Sequence, residues 1–281
     1  MPDPLLYGLI GYPVGHSLSP GMHNAAFQAL GIDAEYRLFE VSPAQLESFM
    51  MSLDTRDIRG FNVTVPHKEA VIGCLDLADE ELSPRGVKAV NTVVKRGERW
   101  KGFNTDIPGF LRHIREHIDP AGKRVALLGA GGAGKAVASA LAAGNASRIV
   151  ICDLEVRKLS ETLEMIRQGL SYNAIFGVDS IEGLELADKD ILINATPVGL
   201  KESDPCLIER EDLHQGLFVY DLIYNPPETK LLISAREAGL RCANGLGMLL
   251  YQGALAFEHF TGRQAPVEVM RKALESAIQG Q

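Results

Sequence analysis

Cysteine is scarce in this chain of 281 residues. Its four cysteines, Cys74, Cys152, Cys206 and Cys242, are widely spaced, form no Cys-x-x-Cys pair and sit in no histidine cluster with zinc spacing. A disulfide framework and a metal site are therefore not expected, and free thiols in a reducing compartment are. Positive charge is also in deficit: 28 basic side chains stand against 36 acidic ones, a net charge of −8. That argues against a nucleic-acid partner, which is usually met by a basic face. It also leaves no broad positive field to gather anions, so a bound anion must be held by local groups. No apolar run approaches the roughly 18 residues of a membrane span. The opening MPDPLLYGLIGYP has no basic segment and only a short apolar run, so no signal peptide, no membrane partner and a cytoplasmic location are expected. Sequence repeats and low-complexity segments are absent too. What remains, 46% hydrophobic and 23% charged, is the composition of a globular protein with two domains or one large one.

The most informative stretch is VALLGAGGAGKAVASALAAGNASRIVICD, residues 125–153. It predicts a strand over 125–128, a glycine turn with Gly129, Gly131 and Gly134, a helix to about Ala143, and a second strand over 148–152. Asp153 closes that strand, about 20 residues past the turn. The first glycine permits the tight turn, the second lets the backbone approach a pyrophosphate, and the third lets the helix pack on the sheet. The helix N-terminus offers free N–H groups and a positive dipole end to phosphates. A terminal acid can accept hydrogen bonds from a ribose diol. The pattern fits a dinucleotide-binding unit; a glycine-rich turn in another α/β protein is the plainer alternative.

Before it, hydrophobic periodicity predicts strands over 5–10, 34–40 and 60–65, helices over 21–30, 43–52 and 67–78, and a hairpin of 90–95 with 100–103 turning near Gly97. An amphipathic helix, 107–118, leads to the turn Asp119-Pro120-Ala121-Gly122. Beyond the glycine stretch come a helix over 156–168, strands over 191–195 and 218–222, and helices over 248–260 and 266–278. Alternating strands and helices imply an α/β fold with a largely parallel sheet. The expected division is a substrate-binding and catalytic domain, 1–106, a Rossmann-type dinucleotide-binding domain, 107–244, and C-terminal helices, 245–281, that return to the first domain. A ligand cleft between the domains is the default expectation.

The first part carries polar loop residues that packing does not require: Ser17 and Ser19 in GHSLSP, Asn62, Thr64 and Lys68 in GFNVTVPHKE, Asn91 in AVNTV, and Asn104 and Asp106 in GFNTD. With GAGGAGKA, NATPVG (194–199), DLIYNPPET (221–229) and GLGMLLYQGALAF (245–257), this ordered set closely resembles the shikimate dehydrogenase family over nearly the whole chain. The resemblance implies reversible hydride transfer between a nicotinamide cofactor, NAD or NADP, and C3 of shikimate, with 3-dehydroshikimate as the oxidised partner. It implies a place in aromatic amino-acid biosynthesis (the route to chorismate) or in quinate and shikimate breakdown. It also implies Lys68 and Asp106 as the catalytic pair. Ser17, Ser19, Thr64, Asn91, Tyr224 and Gln252 match substrate-binding positions. Gly129, Ala130, Gly131, Gly132, Ala133, Asp153, Leu154, Lys158, Thr196, Ile223, Gly245 and Met248 match cofactor-contacting ones. Monomer and homodimer are both open.

Residue chemistry agrees with those roles. When a hydride leaves C3, its hydroxyl must lose a proton, and a lysine beside a carboxylate can carry it. In its charged form the lysine also stabilises the alkoxide. Serines can donate to a carboxylate, and the amides of Asn62, Asn91 and Gln252 can both donate to and accept from a polyhydroxylated ring. Plainer readings stand beside each. Lys68 can be a solvated side chain, Asp106 a helix N-cap, Ser17 and Ser19 turn residues, Asn62 a loop-backbone partner, and Tyr224 and Met248 core. His16, His23 and His67 read as structural.

The chain departs from the family at one place. Members that use NADP mostly carry an Asn-Arg-Thr-like stretch after the second nucleotide-domain strand, with arginine on the 2′-phosphate. Here the stretch is Asp153-Leu154-Glu155. A phosphate monoester carries roughly −1.5 to −2 charges at neutral pH, and two acids repel it. NAD is therefore expected as the preferred cofactor, with Arg157 and Lys158 as a possible partial rescue for NADP. Some NAD-using relatives also take quinate; Ser19, often threonine in those that favour quinate, leans toward shikimate. The rival readings are a quinate-preferring or dual enzyme and, in another class, a dinucleotide-binding regulator without catalysis.

Overall fold

The computed structural model describes residues 3–75 and 89–280. They divide into two compact units: 3–75, 89–109 and 250–280 in the first, and 110–249 in the second.

The first unit opens with β1 (Leu5–Gly11), α1 (Ser19–Ala29), β2 (Ala34–Glu40), α2 (Leu46–Met51) and β3 (Ile58–Val63), then a hairpin of β4 (Thr92–Arg96) and β5 (Arg99–Phe103). The sheet order is β2-β1-β3-β4-β5. β1 pairs with β2 and β3 in parallel, and β3, β4 and β5 run antiparallel. β1 is buried continuously from Tyr7 to Gly11, as a central strand covered on both faces must be. Gly31 and Gly97 both have φ of +61°, so each stops its element with a turn that a side chain would strain. One face of the sheet packs Ile10, Phe49, Phe61, Val63 and Val71.

α3 (Asp106–His117) leaves the hairpin. In the second unit β6 (Arg124–Leu128), α4 (Gly132–Ala143), β7 (Arg148–Cys152), α5 (Val156–Leu170), β8 (Ile175–Val178), β9 (Ile191–Asn194), β10 (Phe218–Asp221), α6 (Lys230–Glu237) and β11 (Cys242–Asn244) follow. All six strands are parallel, in the order β11-β10-β9-β6-β7-β8. From β6 outward this is the Rossmann strand order, with helices α4 and α5 linking the strands of one half and only α6 in the other. α7 (Leu246–Thr261) and α8 (Val267–Gln279) end the chain, and residues 250–280 belong to the first unit. The protein is thus an α/β fold with a Rossmann-type unit.

Four differences from the expected elements stand out, one of them the three-residue edge strand β11, too short to show a period. Over 67–78 the described residues form only a short 3-10 turn, Ala70–Cys74; residues 76–78 lie outside them. Lys68 O accepts Val90 N at 2.8 Å, while Ile72 N, its partner in an α-helix, bonds instead to Glu69 O at 3.3 Å in a 3-10 turn. β8 was not expected because IFGV is short and exposes Phe176 and Gly177 at a sheet edge. α6 was not expected either, although Thr229 caps it by accepting from Leu232 N at 3.3 Å.

The other face of the first sheet holds an aromatic cluster. His23 is fully buried and stacks on Tyr36 at 4.3 Å and 3°, with Phe27, Phe257 and Phe260 around it. Neither of its ring nitrogens has a hydrogen-bond partner. Burial pushes its pKa down to about 3. The neutral ring is what folds, so its contribution is intact above the unfolded pKa near 6.5 and is lost as pH falls from there toward about 3. Urea unfolding between pH 6.5 and 4 should therefore lose about 1.4 kcal/mol per pH unit from this group. His23→Leu should flatten that dependence; an unchanged slope would contradict the assignment.

Candidate functional site

The hairpin sets the first cluster. Asn91 precedes β4 and Asn104 follows β5, so pairing of the strands brings them together: Asn91 N donates to Phe103 O at 3.0 Å, and Thr105 N to Asn91 Oδ1 at 2.7 Å. Asn104 Oδ1 then accepts Asp106 N at 3.1 Å and Ile107 N at 3.2 Å. Asn104, rather than Asp106, therefore satisfies the free N–H groups of α3, and the Asp106 carboxylate is available for other partners.

Those partners are Lys68 and Asn91. Lys68 Nζ donates to Asp106 Oδ2 at 2.6 Å, and Asn91 Nδ2 donates to Asp106 Oδ1 at 2.9 Å. The Asp106 side chain is 9% exposed and that of Lys68 24%. A carboxylate this buried needs paired, hydrogen-bonded surroundings, and it has a cation and an amide. Lys68 is thus held by a partner rather than freely solvated, and its side chain stays partly exposed.

Around the pair lies a buried chain of polar groups. Asn91 Nδ2 also reaches Thr105 Oγ1 at 2.9 Å and Gln252 Oε1 at 3.4 Å. Gly109 permits the approach of Gln252: a Cβ there would stand 2.7 Å from Gln252 N. Asn62 sits opposite Thr92 in the register and donates to Thr92 Oγ1 at 3.0 Å and Asn91 O at 3.1 Å, while accepting from Tyr36 Oη at 2.8 Å. Both amide hydrogens of Asn62 are therefore committed within the sheet. Thr92, Thr105 and Tyr36 belong to this chain although nothing in their sequence context singled them out. Ser17 Oγ accepts Ser19 N at 3.3 Å, Ser19 is buried, and Thr64 N donates to Ile10 O at 2.9 Å. His67 is buried with Nε2 at 2.6 Å from Val41 O, a structural placement. Tyr224 lies in the second unit, where burial raises its pKa.

The glycine turn of the second unit shows a distinct need at each position. Gly129 has φ +97°, and its Cβ would meet Ala195 backbone at 3.1 Å. A Cβ on Gly134 would stand 2.0 Å from Gly129 O, so only glycine lets α4 start so close to the strand. Around Gly131 and Gly132 a Cβ would meet nothing within 4 Å. There the backbone faces open space at the N-terminus of α4, the arrangement that suits a phosphate. Exposed Ala133 follows. Asp153 follows β7 directly; its Oδ2 accepts Ala130 N at 2.7 Å and its Oδ1 accepts Glu155 N at 2.8 Å. Leu154 is 84% exposed. Lys158 is paired with Glu155, and Arg157 with Glu161 at 2.8 Å.

At the ends of β9 and β10 a second buried network forms. Asn194 Oδ1 accepts Thr196 N at 3.0 Å and Thr196 Oγ1 at 2.7 Å, and its Nδ2 donates to Asp221 Oδ1 at 3.0 Å. Asp221 also accepts Ile223 N at 3.0 Å and Thr229 Oγ1 at 2.7 Å. Burial raises its pKa, and these hydrogen bonds oppose the rise. Thr196 and Ile223 are thereby fixed by Asn194, Asp221 and Thr229, residues whose signal was their place inside NATPVG and DLIYNPPET. Gly245 packs against Leu222, where a Cβ would stand 2.0 Å from the carbonyl oxygen, and Met248 is half-buried one turn into α7. These residues fit a dinucleotide: an open glycine turn on a helix N-terminus, an acid after the second strand, and the carboxyl ends of parallel strands beside them.

A Rossmann unit joined to a second α/β unit with a buried lysine–aspartate pair defines a class of dinucleotide-dependent oxidoreductase folds. Comparison narrows it. The model of the shikimate dehydrogenase substrate binding domain matches residues 9–93, and that of the shikimate 5'-dehydrogenase C-terminal domain matches residues 245–275. The shikimate dehydrogenase (NADP(+)) of Methanopyrus kandleri is 47% identical over 273 residues, covering 95% of this chain and 93% of that protein. Among solved structures, shikimate 5-dehydrogenase from Listeria monocytogenes in complex with shikimate and NAD has a TM-score of 0.86 at 36% identity, covering 96% of each chain. Quinate dehydrogenase from Corynebacterium glutamicum in complex with NAD has a TM-score of 0.89 at 32% identity, covering 98% of this chain and 100% of that one. The chain belongs to the shikimate dehydrogenase family and is an oxidoreductase. Among the described residues no helix is long and apolar enough to cross a membrane.

The glycine geometry yields a paired test. Gly134→Ala should cost about 1–3 kcal/mol of stability through overpacking against Gly129 O. Gly132→Ala, which meets open space, should stay within about 0.5 kcal/mol of the parent. Chemical unfolding of the two variants checks this; equal effects would contradict it.

Proposed function

We propose that this chain interconverts 3-dehydroshikimate and shikimate with a nicotinamide dinucleotide, and that it prefers NAD to NADP. The observation that carries the reading is the pair of Lys68 and Asp106, 2.6 Å apart, with Asn91 on the second carboxylate oxygen. The bound cofactor, in its reduced form, supplies the hydride to C3. The residues do the rest. As C3 gains the hydride its carbonyl oxygen becomes an alkoxide, and the Lys68 ammonium stabilises that charge and donates the proton. Asp106, itself oriented by Asn91, holds the lysine in place and balances its charge. In the other direction the same lysine accepts the proton. Ser17 and Ser19 bind the substrate carboxylate; Thr64, Asn91, Gln252 and Tyr224 bind the ring hydroxyls. Asn62 acts behind them, through Asn91 and Thr92. Residues 1–106 form the substrate domain and 107–244 the cofactor domain in this reading.

The cofactor preference rests on charge. Glycine-turn residues Gly129 to Ala133 would hold the pyrophosphate, and Thr196, Ile223, Gly245 and Met248 would contact the rest of the cofactor. Asp153 takes the ribose diol, with Leu154 and Lys158 next to it. A 2′-phosphate there would meet Asp153 and Glu155, while the nearby cations Lys158 and Arg157 are already paired with Glu155 and Glu161. Repulsion of one or two kcal/mol is enough for a roughly tenfold preference.

Initial rates by nicotinamide absorbance, with shikimate or quinate and NAD or NADP, test the reading. Shikimate with NAD should exceed shikimate with NADP at least about tenfold in kcat/KM, and Asp153→Ser should narrow the gap. A preference for NADP sinks the charge argument. Turnover of quinate above shikimate replaces the substrate, and no turnover with either substrate overturns the reading.

A further inference from the structure

The last turn of α3 carries groups that the proposed reaction does not use. Residues 113–117 read His-Ile-Arg-Glu-His. Positions i, i+3 and i+4 share one face of a helix, so His113, Glu116 and His117 point the same way. Their ligand atoms lie within 4.8 Å of one another, the one such group among the described residues. We propose that this turn binds a divalent transition ion of borderline softness, with zinc as the representative.

The geometry fits that ion. His113 Nε2 and His117 Nε2 are 3.2 Å apart. Two ligands about 2.0–2.1 Å from one tetrahedral ion stand roughly 3.4 Å from each other, so the separation already suits two such ligands. His113 Nδ1 is 2.7 Å from Tyr220 Oη. A histidine ligand is normally held this way, its far nitrogen bonded to a fixed partner so that the near one faces the metal. The ring is fixed on its face as well: a Cβ on Gly247 would stand 2.1 Å from His113 Cδ2, so glycine there lets the backbone close over the imidazole. His117 stacks on Phe218 at 5.7 Å and 21°. Its carbonyl accepts Arg241 Nη1 at 3.1 Å.

The donor set decides the class of ion. Two imidazoles and one carboxylate suit zinc, cobalt or nickel and not magnesium or calcium, which take all-oxygen sets. His113 is buried, His117 half-buried and Glu116 exposed, so the group runs from the interior to the surface, and three protein ligands would leave a fourth position to water. The competing account is an Nε2–H···Nε2 hydrogen bond between two neutral rings, which needs no ion. The two accounts differ in what they bind.

The test uses the whole protein after treatment with a chelator. Zinc is titrated by calorimetry, and cobalt(II) by its visible absorption, which reports four-coordinate sites. The expected result is one saturable equivalent, with a rise in Tm on zinc addition because the ion binds only the folded chain. His117→Gln and Glu116→Gln, the latter at an exposed position, should each weaken binding by about tenfold or more and shrink the Tm rise. Absence of saturable binding by the parent protein overturns the proposal. Equal affinity in both variants overturns it too, since the ion would then sit elsewhere.

Discussion

Burial of the Asp106 carboxylate is the constraint around which the first unit is arranged. An ionised carboxylate taken from water needs a cation and hydrogen-bond donors. Lys68 and Asn91 supply them, and each is placed by a different part of the sheet. Lys68 follows β3, and its carbonyl is tied to Val90 N. Asn91 and Asn104 flank the β4–β5 hairpin, and Asn104 takes over the capping of α3. If Asp106 were its own cap, its carboxylate would be used on the helix and Lys68 would lose its partner. The division of labour between two neighbouring polar residues is what leaves an acid free to hold a base.

The second unit solves a parallel problem with backbone. Gly134 and Gly129 touch so closely that no side chain fits between them, and the helix N-terminus is thereby set against the strand ends. Asp153 then serves the same turn by accepting Ala130 N. Its position is therefore fixed before any ligand arrives, and preorganised acceptors cost less to use. Asn194 and Asp221 perform the corresponding task at the ends of β9 and β10, fixing Thr196 and Ile223.

Much of this was legible in the residues. The strand–glycine turn–helix–strand–acid order of 125–153 needs only local rules, and the element bounds there agree to within a residue or two. Lys68 and Asp106 were legible as an ordered pair of polar loop residues, not as neighbours, because 38 positions separate them and only the hairpin closes that gap. Four features stayed out of reach. Short edge strands such as β8 carry too few residues to show a period. The turn at 70–74 comes with a long-range hydrogen bond from Val90 N to Lys68 O that no local pattern encodes. The commitment of Asn62 to Thr92 depends on strand register. The identity of the cap, Asn104 over Asp106, also waited for the hairpin.

The most direct test of the account is Lys68→Met, assayed twice: turnover of shikimate with NAD at saturation, and equilibrium binding of shikimate to the same protein. The account predicts a fall in kcat of about 10²–10⁴-fold, with shikimate still bound within roughly an order of magnitude of the parent affinity. Near-normal turnover would contradict it, because the proton would then travel by a route that does not pass through Lys68 and its aspartate.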